Sequence, residues 1–508
     1  MKVSSLFNTE NSHSPQNFRK ASSSKQLIDG NSQSFLLRSP RNLFLRICQC
    51  NNCQSLSKSI CLHLYKIKEI LIHVRVLLLV ISIQFFFFNA YSQDTLIISR
   101  GEVIQRVLES NLELKAADQQ TEMSRGNLNQ SKALFLPSVS ASYTSLFTNN
   151  PLMAFGSRLN QEILTASDFD PNRLNNPDKI ENFATEIQAL QPLLNLDGVY
   201  QRQAAQVQLE SYELQATRTR EYMELEATKA YMQLQLAYEA LAVLKRARAT
   251  ADEGVRLTED YFEQGLLKKA DQLDVRVRQI ELENQLVYAR SNIQNASDDL
   301  ATLLGETLGN KVYQPKTAIV NTIARETFSA TLLSSRKDLL AMGKSIQGYE
   351  KMLKANKAST TPRINAFGRY QVFDDTPLGF GADGYLLGIQ LSWSLFDGNE
   401  RVGKVQRAKA ALEKATIEKD NYQNQSQLEL NKANRQLANA GNKVNLLKSA
   451  FELKVEAYRI RKNRYAQGLE KTADVLMAET QMFQKELEYK QALFEYNLMK
   501  EYLRFLTR

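Results

Sequence analysis

Phe262-Glu263-Gln264-Gly265-Leu266 returns 203 residues later as Tyr465-Ala466-Gln467-Gly468-Leu469. The same offset holds for Ala270/Ala473, Asp271/Asp474 and Leu273/Leu476, and it continues to the C-terminus in residue type. Leu286, Ala289, Ile293, Ala296, Leu300 and Leu303 correspond to Tyr489, Ala492, Tyr496, Met499, Leu503 and Leu506. Upstream, Asp197-Gly198 corresponds to Asp397-Gly398, and Pro137 to Pro362. Landmarks in conserved order predict a two-fold internal repeat, each copy a helix, two strands, a long helix and a helix.

Each glycine ends a long proline-free stretch. Residues 198–265 and 398–468 read as helices of ~100 Å and ~105 Å at 1.5 Å per residue. Shorter helices are expected at roughly 101–134, 270–304, 326–358 and 473–507. Leu282, Leu286, Ala289, Ile293, Ala296, Leu300 and Leu303 step by 4 and 3 in turn, a heptad seam that needs a partner helix. Leu446, Ala450, Leu453, Ala457 and Ile460 repeat that seam, beside a second stripe of Leu447, Phe451, Val455 and Tyr458. Two stripes mean packing on two sides, as in a ring of helices.

Strands come in pairs between helices. Ile364, Ala366, Tyr370 and Val372 alternate with Arg363, Asn365, Arg369 and Gln371. Leu387, Ile389, Leu391, Trp393 and Leu395 alternate with Gly388, Gln390, Ser392 and Ser394, and Val139, Ala141 and Tyr143 with Ser138, Ser140, Ser142 and Thr144. Residues 184–194 read as a weaker fourth strand. One apolar and one polar face suit a water-filled barrel in lipid, with Tyr143, Tyr370 and Trp393 placed for an interfacial girdle. Four strands cannot close a barrel, but three chains give twelve. A homotrimer is expected, with outward loops at 148–182 and 374–383.

The formal net charge of +9 is misleading. Residues 1–92 hold 11 Lys/Arg against 3 Asp/Glu, leaving 53 against 52 for the rest. A nearly neutral body has no general grip on nucleic acid. Cys48, Cys50, Cys53, Cys61, His13, His63 and His73 all lie in the same first segment. Its Ser/Asn/Gln-rich composition argues against an ordered metal site despite the C-x-C-x2-C spacing. Beyond residue 92 there is neither Cys nor His, which removes Cys/His and Ser–His nucleophiles and His-based metal sites. No Gly-rich phosphate loop is present, and Asp298-Asp299 and Asp374-Asp375 read as solvated surface. The chain is expected to be no enzyme, with no cofactor and no metal.

Lys66, Lys68 and Arg75 precede an apolar run over 76–88, and Ala90-Tyr91-Ser92 follows it. This is a secretory signal pattern, too short to span a membrane at ~20 residues. The expected organisation is an extension over 1–65, disordered or not translated, a signal peptide over 66–92, repeat 1 over 93–304, a linker over 305–325 and repeat 2 over 326–508.

Ala133-Leu134-Phe135-Leu136-Pro137, Leu391-Ser392-Trp393-Ser394-Leu395-Phe396-Asp397-Gly398 and the two Gly-centred turns with their downstream Asp together resemble the TolC family of outer-membrane efflux proteins, over nearly all of 100–508. The resemblance implies a mainly α chain with a membrane β-barrel: a trimer whose twelve-stranded barrel in the outer membrane continues as a coiled-coil tunnel in the periplasm. It implies a periplasmic adaptor and an inner-membrane transporter as partners, in efflux or type I secretion, with lipid around the barrel. It also implies that 93–100 and 305–328 form the equator of the tunnel.

The same resemblance places Gly265 and Gly468 at the periplasmic tip, where the tunnel closes. It links Tyr465 to Asp271 and puts Asp474 in a closing ring of aspartates. Met477 stands where the family has a second aspartate and Glu470 where it often has an arginine, so different contacts are expected there. Asp274 could supply some of the missing charge. On its own chemistry each Asp is also a helix N-terminal residue favoured by the helix dipole. The rival reading is a periplasmic coiled-coil structural protein without a pore, which has no use for alternating strands.

Overall fold

A computed structural model describes residues 95–309, 311–321, 323, 326 and 328–508. The expected extension, the signal peptide and all the cysteines and histidines lie outside the described residues.

In chain order the elements are β1 (Thr95–Ile98), α1 (Arg100–Ser110), α2 (Leu112–Gln130), β2 (Ser138–Thr148), α3 (Pro151–Asn160), α4 (Pro171–Asn175), β3 (Ile180–Leu194), α5 (Leu196–Glu263), α6 (Lys269–Leu303), β4 (Val312–Pro315), α7 (Lys337–Ala358), β5 (Arg363–Asp374), β6 (Ala382–Ser392), α8 (Glu400–Ala466) and α9 (Thr472–Leu506). The chain is mainly helical with an antiparallel sheet.

The two long helices have 68 and 67 residues. Shorter helices lie along them at either end. Beside the sheet the neighbours run α2, α5, α7, α8, and towards the glycine turns they run α6, α5, α9, α8. The heptad seam of α6 is buried as its spacing requires, with Leu282 and Leu300 fully covered and Leu286, Ala289 and Ile293 nearly so. In α8 the two stripes part ways. Phe451 and Tyr458 pack inside against α5, α6 and α9, whereas Leu446 and Leu453 are each 72% exposed and Ile460 is 47% exposed.

At the waist, β1 pairs in parallel with β4, Thr95 opposite Val312. Ile98 and Tyr313 join Val103, Tyr231, Leu234 and Leu300 in one core. The two stretches assigned to the equator thus meet through this strand pair.

The four-stranded sheet has the order β2-β3-β5-β6. Its register puts Val139, Ala141 and Tyr143 in line with Ala189, Ile187 and Thr185, then with Gly368, Tyr370 and Val372, and finally with Leu387, Tyr385 and Asp383. That face is largely apolar. The opposite face carries Ser140, Ser142, Gln188, Glu186, Arg369, Gln371 and Gln390, with Arg369 against Glu186 at 3.4 Å. Asp197 ties sheet to helix: it accepts from Arg363 at the start of β5 at 2.5 and 3.2 Å. Asp397 holds Arg401 at 2.7 Å in the second half.

Four expectations are corrected. The helix over 101–134 is broken at Asn111, whose side chain accepts from Glu113 N and Leu114 N and so starts a new helix. The helix expected from 326 begins at Lys337. The weak strand over 184–194 begins earlier, at Ile180. Trp393 and Leu395 fall beyond β6, where Trp393 Nε1 donates to Thr360 O at 3.0 Å. The paired landmarks Gly198 and Gly398 also differ. Gly198 lies inside α5 because Asn195 caps the helix upstream, whereas Gly398 has φ +64° before α8.

Candidate functional site

Two turns join the long helices to those that follow, and they are built alike. Gly265 has φ +73° and Gly468 has φ +72°, a region that residues with a Cβ enter only at a cost. Leu266 N donates to Tyr261 O and Leu469 N to Arg464 O, both at 2.9 Å. Each is a six-residue closure that satisfies carbonyls left open at a helix end. The Tyr261 and Tyr465 rings lie 6.1 Å apart, so the two turns are level and in contact.

Downstream, Asp271 and Asp474 each occupy the first turn of a helix. Asp271 accepts from Lys268 N at 3.3 Å, the capping role its position allows. Asp274 is exposed three residues further on. Within one chain Tyr465 does not meet Asp271: its hydroxyl accepts from Thr472 Oγ1 at 3.4 Å.

Sequence reasoning missed the second turn's own closure. Glu470, two residues past Gly468, is held by two arginines of α8. Arg461 Nη1 and Arg464 Nε each donate to Glu470 at 3.0 Å, and Arg461 lies 4.0 Å from Asp474. Two arginines in the last turns of α8, facing an acid two residues past the glycine, were the available signal. In the first turn, Arg276 of α6 pairs instead with Glu259 of α5.

Glu470→Ala should loosen this turn, since it removes two charge-assisted hydrogen bonds. Limited trypsin digestion of the folded protein should then cut faster after Arg464 and Lys471. Unchanged cutting would show that the tether does not hold the turn.

One more group near this end was not foreseen. Glu479 of α9 is 3% exposed, and its Oε1 has no hydrogen-bond partner among the described residues. Burial pushes it up to about 7, against the pull of Arg278 and Lys462.

Comparison with known proteins agrees with this architecture. The family profile described as outer membrane efflux protein matches residues 103–306 and again residues 329–507. The chain therefore belongs to the outer membrane efflux protein family, as the TolC resemblance implied, and its location is the outer membrane. It is 21% identical over 412 residues to the alkaline protease secretion protein AprF of Pseudomonas aeruginosa, spanning 78% of this chain and 82% of that protein. The crystal structure of the Campylobacter jejuni CmeC outer membrane channel is similar at TM-score 0.69 and 16% identity, over 80% of this chain and 85% of that one. CusC, solved in a study of its folding and transmembrane channel formation, is similar at TM-score 0.69 and 14% identity, over 83% and 96%.

Proposed function

We propose that three copies of this chain form a passive exit duct, which receives its cargo from an inner-membrane transporter through a periplasmic adaptor. The observation that carries this reading is a matched pair of bare stripes. On α8, Ile460, Leu453 and Leu446 lie 8, 15 and 22 residues before Gly468. On α6, Leu273, Ile280 and Val287 lie 8, 15 and 22 residues after Gly265. All six are exposed in the single chain, and the two turns are level. Helices α6 and α8 are the outer members of the row at this end. Placing α8 of one copy against α6 of the next therefore stacks three apolar layers in register.

The sheet supports the same closure. Among the described residues β2 and β6 each keep one unpaired edge. In an antiparallel order of four, β6 of one copy meets β2 of the next antiparallel, so the ring closes without a mismatch. Three sheets of four strands give a twelve-stranded barrel, with the apolar face towards lipid and the polar face lining water. Open edges would otherwise invite aggregation. No described helix is long and apolar enough to cross a membrane.

The internal repeat, with repeat 1 over 93–304, linker 305–325 and repeat 2 over 326–508, is supported by the double profile match and by the recurring element order. We assign Gly265, Asp271, Asp274, Tyr465, Gly468 and Asp474 to the periplasmic tip, where the tunnel closes. Family members are channels, and this chain is read as one, with no catalytic role.

A ring of three Asp474 carboxylates would bind polyvalent cations and block the pore. In planar bilayers, Asp474→Ala should weaken blockade of single-channel current by hexamminecobalt by about tenfold, roughly 1.4 kcal/mol. Unchanged blockade would remove Asp474 from the tip's working residues. Failure of the purified protein to conduct at all would overturn the channel reading.

A further inference from the structure

The β2–β3 connection is no simple loop. Asn150 caps α3 by accepting from Met153 N at 3.3 Å. Asp168 accepts from Thr165 N at 2.8 Å and from its hydroxyl at 2.7 Å, and Arg158 reaches it at 3.3 Å. The Phe155 and Phe169 rings meet edge to face at 5.7 Å. A connection this well bonded holds one shape, and the question is which side of the sheet it lies on.

The register answers that. Ile180, Asn182 and Ala382 share the polar face of the sheet with Gln188, Gln371 and Gln390. All three are buried, although the rest of that face is open or half-open. Helix α3 covers them, packing on β3 and β6. Gln161, just past the end of α3, is 5% exposed. Its Nε2 donates to the Asn182 side chain at 3.0 Å, to Glu181 O at 2.8 Å and to Asp374 O at 3.1 Å. The connection is pinned to the face that the barrel reading turns towards water, at the end away from the helices.

We infer that residues 151–175 form an inward-folded cap that narrows the outer mouth of the channel, meeting the same cap of the two other copies across it. The inference rests on the twelve-stranded barrel proposed above. Twelve strands ~4.8 Å apart and tilted by ~40° give a barrel roughly 24 Å across. A helix with its side chains is ~10 Å thick, so three of them lining the wall nearly fill such a mouth. The side of the cap turned away from the sheet is apolar, with Leu152 81% exposed, Leu159 54% and Phe169 58%. A second and third copy would cover these side chains. The cap would then act as a size filter at the exit, separate from the tip at the far end.

The test labels intact cells carrying the full chain with its four cysteines replaced by serine. Ser140→Cys reports on the polar face deep below the cap, and Val139→Cys on the apolar face. One reagent is a small charged maleimide. The other is a maleimide-polyethylene glycol narrower than the open barrel but wider than the gap between caps. With the loop intact, Ser140→Cys should react with the small reagent and exclude the large one. Gln161→Ala, or replacement of 151–175 by a short Gly-Ser linker, should speed the large reagent about tenfold or more, because the amide that pins the cap to β3 and β5 is lost or the cap is gone. Equal reaction of the large reagent with the loop intact overturns the cap, as does its continued exclusion without the loop. A failure of the barrel itself shows differently: Val139→Cys would then react with the small reagent as readily as Ser140→Cys.

Discussion

Asp338→Ala should lower stability by roughly 3–5 kcal/mol per copy, the range for stripping the partner from a buried ion pair. Asp338 sits where four helices meet. Arg336, only 2% exposed, donates to it at 3.1 and 2.5 Å. Tyr422 of α8 donates its hydroxyl at 2.8 Å, and Arg218 of α5 approaches to 3.5 Å. Arg218 in turn lies 3.7 Å from the ring centre of Phe505 on α9 and donates to its carbonyl at 3.1 Å. Without the carboxylate, Arg336 remains in a low-dielectric site with its counter-charge gone, and Arg218 keeps only Glu221, 2.7 Å away.

Burial works to raise the Asp338 pKa, but the Arg336 hydrogen bond and the charges of Arg218 and Arg336 hold it below the usual carboxylate value. Its contribution is therefore present at neutral pH and lost as pH falls through the acid range. The check is the temperature at which the purified oligomer dissociates in detergent. It should drop sharply for Asp338→Ala and stay put for the exposed Glu413→Ala. Equal temperatures would show that the four helices do not depend on this junction.

Glu479→Gln should act in the opposite direction, and only at higher pH. The folded chain holds the Glu479 proton up to about 7, against an ordinary value of 4.5. A raised carboxyl pKa means that stability falls as pH climbs from 4.5 towards 7 and stays low above it. The groups facing it are Arg278 from α6 and Lys462 and Tyr458 from α8, and Tyr458 is itself pushed up to about 12 by burial and by the Glu479 charge. Glutamine carries no charge to bury. The variant should therefore gain up to about 3 kcal/mol per copy at pH 8 and almost nothing at pH 4.5. Dissociation temperatures measured across that range should converge in acid and separate in base. Parallel curves would mean that Glu479 ionises freely.

The long helices were legible because their signals are local and repeated: no proline over 198–265 or 398–468, and apolar residues at heptad spacing. Three strands were legible for the same reason. β3 reads only as a weaker strand over 184–194, four residues short at its start, because its polar face is strongly polar at Asn182, Glu186 and Gln188 while its apolar face is interrupted by Thr185 and Gln191, which blurs the alternation. Asn111 hid inside a helical pattern because a capping Asn and a helix-interior Asn look alike until the Leu303 carbonyl it donates to is known. The two turn glycines, Gly265 and Gly468, are visible from their repeat, but the contacts that hold the second turn are not. Glu470 reads as a departure from the family until Arg461 and Arg464 are seen facing it. The connection over the sheet carries its own local signal: Asn150-Pro151 and Asp170-Pro171 are each a capping residue followed by proline at the first helical position.

The central claim is that α8 of one copy lies against α6 of the next, in a ring that closes at three. Ile280 and Leu453 stand at the same level on the two bare stripes, each 15 residues from its glycine. The decisive measurement is oxidative cross-linking of the chain carrying both Ile280→Cys and Leu453→Cys, with its four native cysteines replaced by serine. On a denaturing gel it should give dimers and trimers and nothing larger, while either single variant should give no ladder. Monomers alone from the double variant, or a ladder that runs past three, would contradict the closed trimer.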